Sequence, residues 1–191
     1  MTRYELYLVG HIVAATLWLG GGFMLLLTGV RAQRANDQEG LQRAVSTTAA
    51  LGATYFIPAS LAVLVFGLLM VFDGPWDFDQ LWIILGLLGY AATFLTGLLI
   101  LKPTSERIDR LVGEAGGKLT PPAQAEAERL LALAQIDYTV LFVVVADMVL
   151  KPTADDVGTL LLMAAVLGAG VIWALARARA IETPETAGAP P

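Results

Sequence analysis

Long stretches with no Asp, Glu, Lys or Arg divide this chain. Leu6 to Val30 is one, and Ala44 to Phe72, Gln80 to Leu101 and Val157 to Ala176 are the others. An α-helix needs about 20 apolar residues to cross about 30 Å of hydrocarbon, and each stretch meets that length. A fifth segment, Leu130 to Leu150 (LLALAQIDYTVLFVVVADMVL), is equally apolar but contains Asp137 and Asp147. The pattern therefore predicts an all-α, polytopic transmembrane helix bundle of about five spans, near 6–30, 47–72, 80–101, 130–150 and 157–176. These spans form a single domain over 1–181, and the lipid bilayer is its first partner.

Composition agrees: 57% of the 191 residues are hydrophobic, 15% are charged and mean hydropathy is +0.68. The placement of cations then orients the bundle. Ten of the 12 Lys and Arg residues fall on one side: Arg31, Arg34 and Arg43, then Lys102, Arg107, Arg110, Lys118 and Arg129, then Arg177 and Arg179. The other side holds Arg3 and Lys151, and its loop DGPWDFD carries three aspartates. This predicts an external N-terminus and an internal C-terminus, as in a multi-pass protein of the bacterial inner (plasma) membrane. The first apolar run is too long for a signal-peptide core and precedes Arg31 and Arg34, so it reads as a retained span. With a net charge of −5 and no basic patch, nucleic acid is not an expected partner.

Between spans three and four, the cytoplasmic loop 102–129 predicts two helices. Ser105 to Val112 is amphipathic and stops at Gly116 and Gly117, whereas Thr120 and Pro121 open a helix that runs on into span four and carries it into the cytoplasm. The tetrapeptide LKPT occurs at 101–104 and 150–153. It reads as a local device in which Lys snorkels and Pro ends a span, rather than as an internal repeat. The tail 182–191 lacks any apolar period and is expected to be disordered.

Candidate chemistry is sparse. Without cysteine there is no disulfide, thiolate site or iron–sulfur cluster. His11 is the single histidine, about 7 Å inside span one at 1.5 Å per residue, and it shares a helix face with Ala15, Trp18 and Gly22. A neutral imidazole there is suited to ligate haem iron or a metal, or else to bond a neighbouring helix. Gly20, Gly21 and Gly22 admit a flat ring or a second backbone, and Gly86, Gly89 and Gly97 do the same in span three. Met70, Met148 and Met163 fall near the level of His11, where thioethers suit copper or haem. Asp147 and Lys151, four residues apart, are expected to pair across a turn. Asp137 is expected to be a solvated acid at the inner boundary. No nucleophile–base set and no phosphate loop is present.

The stretch from Tyr7 to Gly21, with His11, six residues, Trp18, one residue and then Gly20 and Gly21, resembles the first span of copper-resistance protein D-like membrane proteins. Within that group the chain is most similar to a bacterial family of predicted integral membrane proteins of unassigned function. It is distantly similar to HemJ-type protoporphyrinogen oxidases, whose corresponding histidine serves haem. The resemblance implies cofactor binding at His11, Trp18, Gly21 and Gly22, with His11 as metal ligand and haem b or copper as cofactor. Where the HemJ-type pattern continues with Pro-Arg and another His, this chain reads Phe23-Met-Leu-Leu-Leu-Thr-Gly-Val, so the oxidase chemistry does not carry over. Three functions follow as expectations: redox or metal handling through His11; a non-catalytic scaffold or accessory subunit, as homo-oligomer or with other membrane subunits; and a small-solute or ion transport component.

Overall fold

The computed structural model describes residues 2–182, and among these there is no strand. Seven α-helices follow in order: α1 (Arg3–Arg34), α2 (Gln38–Leu51), α3 (Ile57–Asp73), α4 (Leu81–Thr96), α5 (Lys102–Glu114), α6 (Pro121–Leu150) and α7 (Val157–Glu182). One π-helical turn, Gly52–Phe56, fuses α2 to α3, and a second, Gly97–Leu101, fuses α4 to α5. Five continuous helical rods result, each long and apolar enough to cross a membrane. This is the expected all-α bundle. The tail expected to be disordered lies, past Glu182, outside the described residues.

Local sequence accounts for the ends. Thr2 and Glu5 form a capping box, the Glu5 amide donating to Thr2 Oγ1 (3.2 Å) and the Thr2 amide to Glu5 Oε2 (2.7 Å). Asp37 caps α2 by accepting from the Gly40 amide at 2.9 Å. Gly116 and Gly117 take φ +68 and +83, the left-handed region open to glycine, and so turn the chain from α5 toward α6. Thr120 and Pro121 open α6 as expected, although the Thr120 hydroxyl accepts no bond from a backbone amide of the first turn.

The two LKPT segments behave differently, which corrects the expectation that both stop a span. At 150–153 the helix does end, because Lys151 adopts the left-handed conformation (φ 48). At 101–104 it does not, and the rod runs from Leu81 to Glu114 over 34 residues. Pro103 lacks an amide and its ring would clash with the preceding turn; the π turn ahead of it widens the helix by one residue and absorbs both effects. The same device precedes Pro58, where the Ile57 amide reaches back to the Gly52 carbonyl just as Lys102 reaches Gly97.

At about 1.5 Å per residue, rods of 36 and 34 residues exceed the hydrocarbon thickness, so α2, α5 and the first half of α6 project beyond it together. The start of α6 and the helix now seen as α5 were expected outside the membrane, in the loop 102–129; the extension of span two through α2 was not. The projecting part contains the main apolar core, with Leu41, Val45, Ile108, Val112, Ala123 and Ala127 buried together, the interior that water-facing helices require. Arg107 bonds Glu126 to tie α5 to α6. In the spans, by contrast, only 6–22% of the residues in each most apolar window are buried, and Leu6, Val13, Val65, Leu88, Leu161 and Ile172 face outward. Lipid solvates those side chains, so packing there rests on close approach: α1 lies along α3, α4 against α6, and α6 against α7.

Candidate functional site

Among the described residues, two neighbouring cavities between the spans hold the polar side chains of interest. The larger, of about 530 Å³, is near the end of the bundle where α1 begins; His11, Trp18, Val63, Met70, Tyr90 and Met148 line it among mainly aliphatic side chains. The smaller, of about 140 Å³, is closer to the projecting helices and includes Gly22, Ser60, Thr93, Lys102, Asp137 and Tyr138. Trp18 and Leu141 belong to both walls and so separate the chambers. Tyr90 closes on Trp18 edge to face, with ring centroids 5.7 Å apart, and its hydroxyl donates to the Ser60 carbonyl at 3.2 Å.

His11 Nδ1 donates to the Val63 carbonyl at 2.9 Å, which binds α1 to α3. The bare backbone of Gly67 makes room for the ring, since a Cβ there would sit 3.2 Å from His11 Cε1. This bond selects the Nδ1–H tautomer and leaves Nε2 with a free lone pair, the arrangement a metal-ligating imidazole uses. Met70 and Met148 share the cavity, whereas Met163 of α7 does not.

The glycine run is used differently at each position. Gly20 lines the large cavity, and a Cβ there would meet nothing within 4 Å. Gly21 and Gly22, expected to admit a ring or a second backbone, instead receive this chain's own tyrosines. Tyr55 lies against Gly21 and donates to the Leu17 carbonyl at 2.6 Å, while Tyr138 lies against Gly22 and donates to the Leu19 carbonyl at 3.2 Å. These phenols satisfy a polar group within the bilayer and tie spans together. Gly86 and Gly89 similarly accept Met148 and Val144, the close helix packing expected of them.

Both acids of span four differ from expectation. Asp147 does not pair with Lys151. Its side chain is buried against Gly86, 1% exposed, and neither oxygen has a hydrogen-bond partner among the described residues. The left-handed turn at Lys151 swings the amine away, so that Nζ stands 3.8 Å from the centroid of the Trp76 ring, near Trp82. A cation over an indole face is well held at a dry boundary, which accounts for the exchange of partners. Asp137 is not a solvated boundary acid but is 9% exposed and lines the smaller cavity, because the rods continue past it on every side. Span composition could not reveal this; the signal available was the Gly-x5-Pro spacing at Gly52–Pro58 and Gly97–Pro103, which marks the two π turns beside that cavity.

Among the described residues no three His, Cys, Asp or Glu side chains cluster as a metal site. The donor set of the large cavity is therefore one imidazole and two thioethers. That set fits an iron porphyrin, which brings four of its own ligands, better than a bare cation.

A family model described as predicted integral membrane protein (DUF2269) matches residues 6–152, covering α1 through the end of α6. No curated protein and no solved structure matches the chain.

Proposed function

The chain belongs to this family of predicted integral membrane proteins, and from that premise we propose that it is a haem b-binding redox protein of the bacterial inner membrane, with His11 as the iron ligand. The observation that carries the reading is His11 itself: its Nδ1 is anchored on Val63 at 2.9 Å while the ring lines an apolar cavity of about 530 Å³. Anchoring fixes the tautomer and holds Nε2 ready for a metal without a reorganisation cost. Met70 and Met148 are the available second ligands, Gly20 leaves one wall open, and Trp18 and Tyr90 present flat rings at the floor. Bound haem would supply one-electron chemistry. The protein's part is to ligate it, keep water from it with Leu64, Leu87 and Val144, and set its potential through an apolar surround.

The test is the absorption spectrum of detergent-purified protein expressed with added haem and copper. A Soret band is expected, lost in His11→Ala while membrane insertion is unchanged, since removing the imidazole makes span one easier to insert. Metal analysis on the same sample separates haem from copper. A colourless, metal-free wild type would defeat the proposal and leave His11 as a packing residue of a scaffold, joined to α3 by its bond to Val63.

A further inference from the structure

The smaller cavity is a mainly apolar chamber, and its few polar groups are mostly acceptors. Thr48, Ser60 and Thr93 line it, and each hydroxyl already donates to a backbone carbonyl of its own helix: Ala44 at 2.9 Å, Ile57 at 3.0 Å and Tyr90 at 3.0 Å. A hydroxyl whose proton is committed has only lone pairs left to offer. Asp137 adds a carboxylate that is 91% buried and has no hydrogen bond or ion pair to any described residue. Lys102, the one cationic side chain in the wall, turns its ammonium to Glu106 at 2.6 Å. The chamber thus presents hydroxyl lone pairs and one carboxyl without a partner, at a depth where an unpaired charge is costly.

The rest of the wall limits the ligand further. Trp18, Phe56, Phe94 and Tyr138 contribute aromatic surface, and aliphatic side chains fill the remainder. A bare alkali or divalent ion would use only the hydroxyl and carboxyl oxygens and leave the aromatic and aliphatic wall without a partner. An ammonium group bearing a short hydrocarbon chain satisfies every part: charge on Asp137, N–H donors to the hydroxyls, cation–π contact with the rings, and apolar walls around the tail. The volume of about 140 Å³ is that of a few water molecules and accepts a group of four or five heavy atoms. The π turns bordering the chamber at Gly52 and Gly97 are of the kind that open a helix bundle at functional positions.

We propose that this chamber is a binding site for small primary alkylammonium ions, with Asp137 as the counter-ion. The site is separate from the His11 cavity and does not depend on haem. Calorimetric titration of the full chain in zwitterionic lipid nanodiscs, with n-butylammonium as probe and n-butanol as its uncharged counterpart, tests it. Saturable binding of butylammonium with at least tenfold preference over butanol is expected. Asp137→Asn should abolish that preference, Asp137→Glu should retain it, and Asp147→Asn, which changes a carboxylate outside the chamber, should leave it unaltered. Absence of butylammonium binding to wild type, equal binding of the alcohol, or full preference in Asp137→Asn would each overturn the proposal. Because the comparison of amine with alcohol is made on wild-type protein, it stands even where a variant fails to fold.

Discussion

Glycine is the residue type whose role here varies most with its neighbours, as Gly20 and Gly22 show two positions apart. Replacing a helical glycine by alanine adds about 1 kcal/mol of helix propensity. At Gly20 the new methyl meets nothing within 4 Å, so Gly20→Ala should stabilise by up to about 1 kcal/mol. At Gly22 the methyl would enter the Tyr138 side chain and push its hydroxyl from the Leu19 carbonyl. Overpacking of this kind costs about 1–3 kcal/mol, so Gly22→Ala should be net destabilising. Unfolding of both variants in mixed micelles checks the contrast; equal effects would mean that Tyr138 does not occupy the notch. His11 and Asp137 illustrate the same dependence, since both are polar groups in apolar helices and differ in what they meet: a backbone carbonyl for one, a chamber without a bonded partner for the other.

Among the elements, the turn between α6 and α7 has a titratable control. Asp156 precedes α7, and its Oδ2 accepts from both the amide and the hydroxyl of Thr153, each at 2.8 Å. These bonds favour the ionised form and hold the Asp156 carboxyl below its ordinary value of 3.8. A group with a depressed folded pKa contributes stability that is complete above its unfolded value and is lost as pH falls through the folded one. The wild type should therefore melt above Asp156→Asn at neutral pH, and the gap should close only in acid below 3.8. A gap independent of pH would show that the carboxylate charge plays no part. The π turns are the more consequential element. They let Pro58 and Pro103 stand inside continuous rods, and the same widening borders the smaller chamber.

For the whole molecule, the charge distribution and the architecture agree on two unlike ends. One gathers α2, α5 and the start of α6 around a buried apolar core. The other gathers Tyr4, Trp76, Trp82 and Lys151 in an aromatic cluster with the Arg3–Asp73 ion pair (3.2 Å) beside it. We propose that the first end is cytoplasmic, as the excess of Lys and Arg there requires. Reporter fusions after Arg43, after Val112 and at the tail should read cytoplasmic, and fusions near Asp77 and Asp155 external. An external tail would overturn this orientation.

The all-α class, the five spans and the breaks at Gly116, Gly117 and Thr120 were legible in the residues, because hydrocarbon length and backbone propensity act locally and a chain meets them one segment at a time. His11 was legible as a candidate for the same reason, being the sole imidazole in an apolar run. What lies opposite each side chain was not legible, since contacts between spans far apart in the chain depend on rotation about each helix axis, which composition leaves free. That freedom decided that Tyr55 and Tyr138 fill the notches at Gly21 and Gly22, that Lys151 rests on Trp76 rather than Asp147, and that Asp137 faces a chamber instead of water. Pro103 is a further case: whether a proline stops a helix depends on whether the turn before it can absorb one extra residue, and in the folded chain the π turn Gly97–Leu101 does so.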